Sequence, residues 1–260
     1  MKNIALALAA LLACVMALAA PAFAALHVDV TQGNIQPMPI AIPDFLGGGQ
    51  AAQIAGVIRA DLDRSGLFKP LDPKSFVEQI KDINATPNFP NWQVINAQAL
   101  VTGQATTEPD GRIRADFRLW DVYGRDQMLG LQYTTTPENW RRIAHMISDK
   151  IYERITGEKG YFDTRIVFIS ESGPALNRKK RLAVMDEDGA NPIFLTRGDY
   201  LVLTPRFNPT AQMIAYMSYI SGKPRVYLFD LETGRQEMLG NFPSMTFSPR
   251  FSPDGNKVVM

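Results

Sequence analysis

The sequence predicts an α+β domain followed by an all-β propeller, with about two blades encoded, and three observations carry that expectation. One phrase is written twice near the end of the chain: Thr204-Pro205-Arg206-Phe207-Asn208-Pro209 returns as Ser248-Pro249-Arg250-Phe251-Ser252-Pro253. A second phrase, Arg181-Leu182-Ala183-Val184-Met185-Asp186, returns at the same offset as Arg225-Val226-Tyr227-Leu228-Phe229-Asp230. Ahead of both lies a stretch of alternating strands and amphipathic helices with no such repeat. A fixed period filled with short apolar strands and polar turns reads as one blade per repeat. A single blade cannot bury both its faces, so neighbours must stack.

The first 24 residues stand apart. Lys2 gives a basic start, residues 4–20 are an uninterrupted apolar run, and Ala22-Phe23-Ala24 places small residues where a signal peptidase reads. The expectation is export with cleavage between Ala24 and Ala25. An uncleaved membrane helix is the rival, but the run is short for a bilayer. A lipidated Cys14 is another, but the apolar run continues beyond it. Cys14 is the only cysteine, so the mature chain has no disulfide and no thiolate chemistry. The chain is 46% hydrophobic and 20% charged, with 27 basic and 26 acidic side chains. Removing Lys2 balances them, which argues against phosphate-backbone binding as the main task.

Ahead of the first domain, taken as 38–160, Leu26, Val28 and Val30 alternate with His27 and Asp29, as an edge strand would. Gly33, Pro37 and Pro39 then break regular structure. Residues 38–45 form a short apolar strand, and Gly47-Gly48-Gly49 reads as a hinge, lacking the spacing of a phosphate loop. Ile54, Val57, Ile58, Asp61 and Leu62 mark a helix over 50–65 with Gly66 as its stop. A weaker helix is expected over 73–83, and a loop over 84–91. Residues 99–106 form a strand, turned by Glu108-Pro109-Asp110-Gly111 into a second one. There Ile113, Ala115, Phe117 and Leu119 face the core, and Arg112, Arg114, Asp116 and Arg118 a solvated outer face. Gly124 turns the chain into a third strand, 128–135. Thr136 and Pro137 start the last helix, whose stripe is Trp140, Ile143, Ala144, Ile147, Ile151 and Ile155, with Gly157 at its end. His145 lies off that stripe and is expected to be exposed. These helices are expected to cover one face of a mostly antiparallel sheet.

The propeller begins at 161. Strands are expected at 166–170, 182–186, 193–196 and 201–204 for one blade, and at 214–218, 226–230, 237–240 and 244–248 for the next. A third blade starts at Val258. Little more than two blades are encoded where propellers need at least four, so the chain is expected to be a fragment. The repeated Pro-Arg-Phe and Pro-Asp-Gly phrases are read as packing and turn chemistry rather than catalysis, because they recur. The basic run Arg178-Lys179-Lys180-Arg181 is read as a solvated hairpin loop. Neither a GxSxG elbow nor an HExxH motif occurs, and two histidines, His27 and His145, cannot be arranged as a paired-histidine metal site.

In this order the residues resemble the TolB family of periplasmic propellers. The stretches that carry the resemblance run from Ala60 through Gly66-Leu67-Phe68-Lys69-Pro70 to Asp72, from Ile155 to Gly160, and across Ser248-Pro249-Arg250-Phe251-Ser252-Pro253-Asp254-Gly255. The resemblance implies a six-bladed propeller, no enzymatic activity and no cofactor. It implies a monomer that binds the Pal lipoprotein at one tunnel mouth and the C-terminal domain of TolA through its mature N-terminus. That role serves outer-membrane integrity, constriction at division and bacteriocin import. The TolA-binding segment, within 25–37, matches Leu26, His27, Val28, Asp29, Val30, Thr31, Gln32, Gly33, Asn34, Ile35 and Gln36, which replaces the plain edge-strand reading. Its alternation suits addition to a partner's sheet edge, with Asp29 departing from the expected apolar residue. Pro243, Ser244, Met245 and Thr246 are the candidate Pal-facing loop. The alternative is a propeller-gated peptidase whose catalytic serine, aspartate and histidine lie outside this sequence.

Overall fold

The computed structural model describes residues 36–260. They divide into two units, the first ending at Gly160 and the second running from Tyr161 to Met260. The leader, its cleavage point and the segment 26–35 lie outside the described residues.

The first unit is built on one five-stranded sheet. Strand β1 (Met38–Ala41) is followed by helix α1 (Gly49–Arg64), β2 (Phe68–Pro70), the short helix α2 (Phe89–Gln93), β3 (Ala99–Thr107), β4 (Ile113–Asp121), β5 (Asp126–Thr135) and helix α3 (Trp140–Thr156). The strand order is β2-β1-β3-β4-β5. The long neighbours β3, β4 and β5 pair antiparallel, whereas β1 pairs in parallel with both β2 and β3. Tight turns make the long pairs. Gly111, at φ 85°, closes the first, with the Glu108 amide bonded to the Arg112 carbonyl. At the second, the Asp121 carboxylate accepts from the Tyr123 and Gly124 amides.

Both long helices follow the apolar period. In α1 the buried residues are Ala51, Ile54, Ala55, Val57, Ile58, Asp61 and Leu62. In α3 the expected stripe is buried except for Trp140, which is half-buried, and Gly157 ends the helix in the left-handed conformation at φ 78°. The opposite face of the sheet is covered too. Leu100 and Trp120 join Ala41, Phe89, Trp92, Ala97 and Val122 in a cluster capped by Leu71, Phe76, Ile80 and Ile95.

Four departures from the sequence reading follow, the first of them explained by this second cluster. The expected helix over 73–83 is a single turn, Pro73–Ser75, followed by irregular chain. Phe76 turns extended and packs edge-on against Trp92, with ring centroids 5.3 Å apart. The expected loop over 84–91 contains the start of α2, because Pro90 sits in the first turn, where a missing N–H costs nothing. The outer face of β4 is not simply solvated. Asp116 is buried and accepts from Gln104 and Arg114, while Trp120 Nε1 donates to Thr102 Oγ1 at 3.1 Å. The Gly47 stretch is held close to the sheet: its ideal Cβ would fall 1.9 Å from the Ala105 carbonyl oxygen, so only glycine fits.

The second unit holds three sheets. Strands β6 (Arg165–Ser172), β7 (Lys179–Asp186) and β8 (Ile193–Phe194) form one. Strands β9 (Val202–Phe207), β10 (Met213–Ser218), β11 (Arg225–Asp230) and β12 (Gln236–Met238) form the next, in the order β12-β11-β10-β9. Strands β13 (Arg250–Phe251) and β14 (Val258–Val259) form the third. The blade boundaries differ from the sequence reading by one strand. Residues 201–204 do not complete the first sheet; β9 pairs antiparallel with β10, opening the second. Residues 244–248 form no strand. The repeated Pro-Arg-Phe phrase therefore marks the first strand of a blade and its hairpin.

The repeat is exact enough to be read in hydrogen bonds. Leu195 N donates to Leu182 O at 2.8 Å, and Leu239 N donates to Val226 O at 2.9 Å. Asn208 N donates to Met213 O, and Ser252 N to Lys257 O. Thr204 and Ser248, each preceding a proline, share a left-handed backbone, with φ 49° and 53°. Between the first two sheets, Leu182 and Val184 pack with Val202, Ile214, Tyr216, Tyr227 and Phe229. The next repeat is stitched on by its turn: Asn208 Nδ2 donates to Gly255 O at 2.8 Å, and Thr210 Oγ1 to Asp254 O across a separation of 44 residues.

Candidate functional site

Of the expected TolA-binding segment, only Gln36 is among the described residues; it is exposed and precedes β1. The second expected site, Pro243, Ser244, Met245 and Thr246, is described in full. It belongs to an irregular segment after β12 that returns alongside the start of β11. Two of its members are anchors. Ser244 offers its carbonyl to Arg225 Nη1 at 2.6 Å, and Thr246 Oγ1 accepts from the Val226 amide at 3.0 Å. Thr246 is buried, whereas Met245 is 62% exposed and its neighbour Phe247 is 58% exposed.

The anchoring is itself a repeated device. Thr196 Oγ1 accepts from the Leu182 amide at 2.9 Å, the bond that Thr246 makes to the corresponding Val226. A threonine thus ends the pairing of each outer strand by taking an amide that no further strand residue reaches. In the second blade the intervening chain is longer and carries Phe242, Pro243 and Met245 outward. Three more residues at this end were not singled out from sequence. The start of β9, the end of β10 and the start of β11 share one end of the antiparallel sheet. There Tyr219 N donates to Leu201 O, and Tyr200, Leu201 and Tyr219 are exposed. In the sequence Tyr200 and Tyr219 lie just outside expected strands, and Leu201 begins the expected strand 201–204. Aromatic and methionine side chains presented over an anchored backbone are the composition of protein-binding surfaces.

The turn aspartates at other corners serve the backbone. The Asp230 carboxyl is held below its usual range by the Thr233 and Glu232 amides. The Asp254 carboxyl is lowered first by the Ser252 hydroxyl and then by Asn256. The expected solvated basic run is paired: Arg178 and Lys180 both reach Glu171, whose carboxyl they pull down, Lys180 most.

His145 is the clearest correction. It is buried rather than exposed, with Nδ1 2.8 Å from Asp61 Oδ2. The Ser148 hydroxyl lies 2.9 Å from the same oxygen and 3.0 Å from the Ala144 carbonyl. Serine and histidine both address the aspartate, and Ser148 is fully buried. This arrangement ties two helices together and presents no serine nucleophile activated by histidine.

Among the described residues, no helix is long and apolar enough to cross a membrane. Two family models match the chain: the TolB amino-terminal domain over residues 26–128 and the TolB beta propeller domain over residues 152–260. The structure is similar to that of TolB from Acinetobacter baumannii, at 30% identity and a TM-score of 0.73, covering 90% of this chain and 57% of that one. A putative TolB from Agrobacterium tumefaciens aligns at 15% identity and a TM-score of 0.31, over 63% of this chain and 52% of that one, too loosely to add to the comparison. The chain thus spans 57% of the length of the Acinetobacter protein. With the TolB amino-terminal domain matched first and the TolB beta propeller domain after it, over an α+β unit and then propeller blades, the chain belongs to the TolB family.

Proposed function

We propose that this chain acts in the periplasm as a protein–protein interaction component of the Tol–Pal envelope system. It would join the Pal lipoprotein at the outer membrane to the C-terminal domain of TolA at the inner membrane, supporting envelope integrity and constriction during division. The observation that carries the reading is the presence of both TolB domains, in TolB order, on one chain. In this reading residues 1–24 direct export and 25–37 form the TolA-binding segment. Residues 38–160 are the α+β body and 161–260 the propeller portion that meets Pal. Leu26, Val28 and Val30 alternate in sequence as strand addition to a partner's sheet requires, with main-chain bonds giving affinity and alternate side chains giving selection. The exposed Met245 and Phe247, held by Ser244 and Thr246, are the features that support a Pal contact at this end of the second blade. Bacteriocin import would proceed through the same system.

The test is a titration of the chain from Ala25 onward with the C-terminal domain of TolA, beside a chain lacking residues 25–36. Binding that disappears with the deletion supports the assignment. Binding that survives it moves the TolA site to the folded units, and binding by neither chain overturns the Tol–Pal reading.

A further inference from the structure

We draw no further inference here: the strongest candidate, the cavity between the N-terminus of helix α1 and the β3–β4 hairpin, lined by Gly47, Gln50, Ala51, Thr106, Thr107 and Ile113, offers main-chain donors at a helix end and, among the described residues, no buried polar side chain aimed into it to say what it would hold.

Discussion

His145 Nδ1 and Asp61 Oδ2 meet at 2.8 Å across 84 residues of sequence, joining the middle of α3 to the last turn of α1. Asp61 is fully buried, and its other oxygen faces Arg64 Nη1 at 3.2 Å. Asp61→Ala removes the acceptor that His145 and Ser148 share. It is expected to cost about 3 kcal/mol, because breaking a buried charged network leaves its remaining members desolvated. Ser148→Ala removes one neutral donor and should cost about 1 kcal/mol. Urea unfolding followed by helical circular dichroism measures both. Equal losses in the two variants would contradict the central place of Asp61.

Gly255 and Gly189 both occupy the left-handed region, at φ 73° and 86°, but their surroundings differ. A Cβ on Gly255 would stand 2.4 Å from Thr210 Oγ1 and 2.5 Å from Asn208 Oδ1, where one repeat is stitched to the next. Nothing lies within 4 Å of a Cβ on Gly189. Gly189→Ala should therefore cost only the backbone strain, about 1 kcal/mol, and Gly255→Ala about 1 kcal/mol more. Thermal unfolding of the two variants checks the order.

Thr246 and Met245 are adjacent, yet their substitutions should separate stability from binding. Thr246→Val removes the acceptor of the Val226 amide and should lower stability by about 1–2 kcal/mol. Met245→Ala, at an exposed site, should leave stability within about 0.5 kcal/mol of the parent. Under the proposed function it should weaken Pal binding about tenfold or more, as loss of an interface anchor does. Calorimetric titration with Pal, beside the unfolding curve, reads both. Unchanged Pal affinity would remove Met245 from the contact.

Tyr216 is fully buried in the core between the first two blades, and burial raises the pKa of its phenol above the ordinary 10.0. A group whose folded pKa is raised contributes stability that is complete below its unfolded pKa. That contribution is lost as pH rises from about 10 toward the folded pKa. In base, Tyr216 should ionise only as its unit unfolds. Absorbance at 295 nm and near-ultraviolet circular dichroism, recorded together, would show this coincidence. Tyr216→Phe should abolish that component and shift unfolding to higher pH. An early, reversible ionisation of Tyr216 would contradict its burial.

Legibility in the sequence followed the range of the interaction. The β3–β4 hairpin was readable because Asp110 and Gly111 act on the backbone within a few residues. Helix α3 was readable because its stripe recurs along one element. The burial of His145 was not, since its partner lies on another helix and nothing local marks a histidine that meets a distant carboxylate. The failed helix over 73–83 has the same cause: Phe76 and Ile80 keep helical spacing, but Trp92 and Leu100 hold them in irregular chain. At the candidate Pal surface, the segment was proposed from the family resemblance. Its division into anchors and exposed side chains depended on contacts with β11.

By itself the sequence determined an α+β unit followed by blades, the corners of the hairpins and the period of the repeat. These depend on local backbone preference and on apolar spacing along single elements. Only the tertiary structure decided that β9 opens a blade rather than closing one, that Thr246 is buried while Met245 is presented, and that Asp61 receives His145. Strand partners and buried polar pairs are chosen by which distant groups can satisfy one another's hydrogen bonds away from water, and that choice is made only when the elements pack.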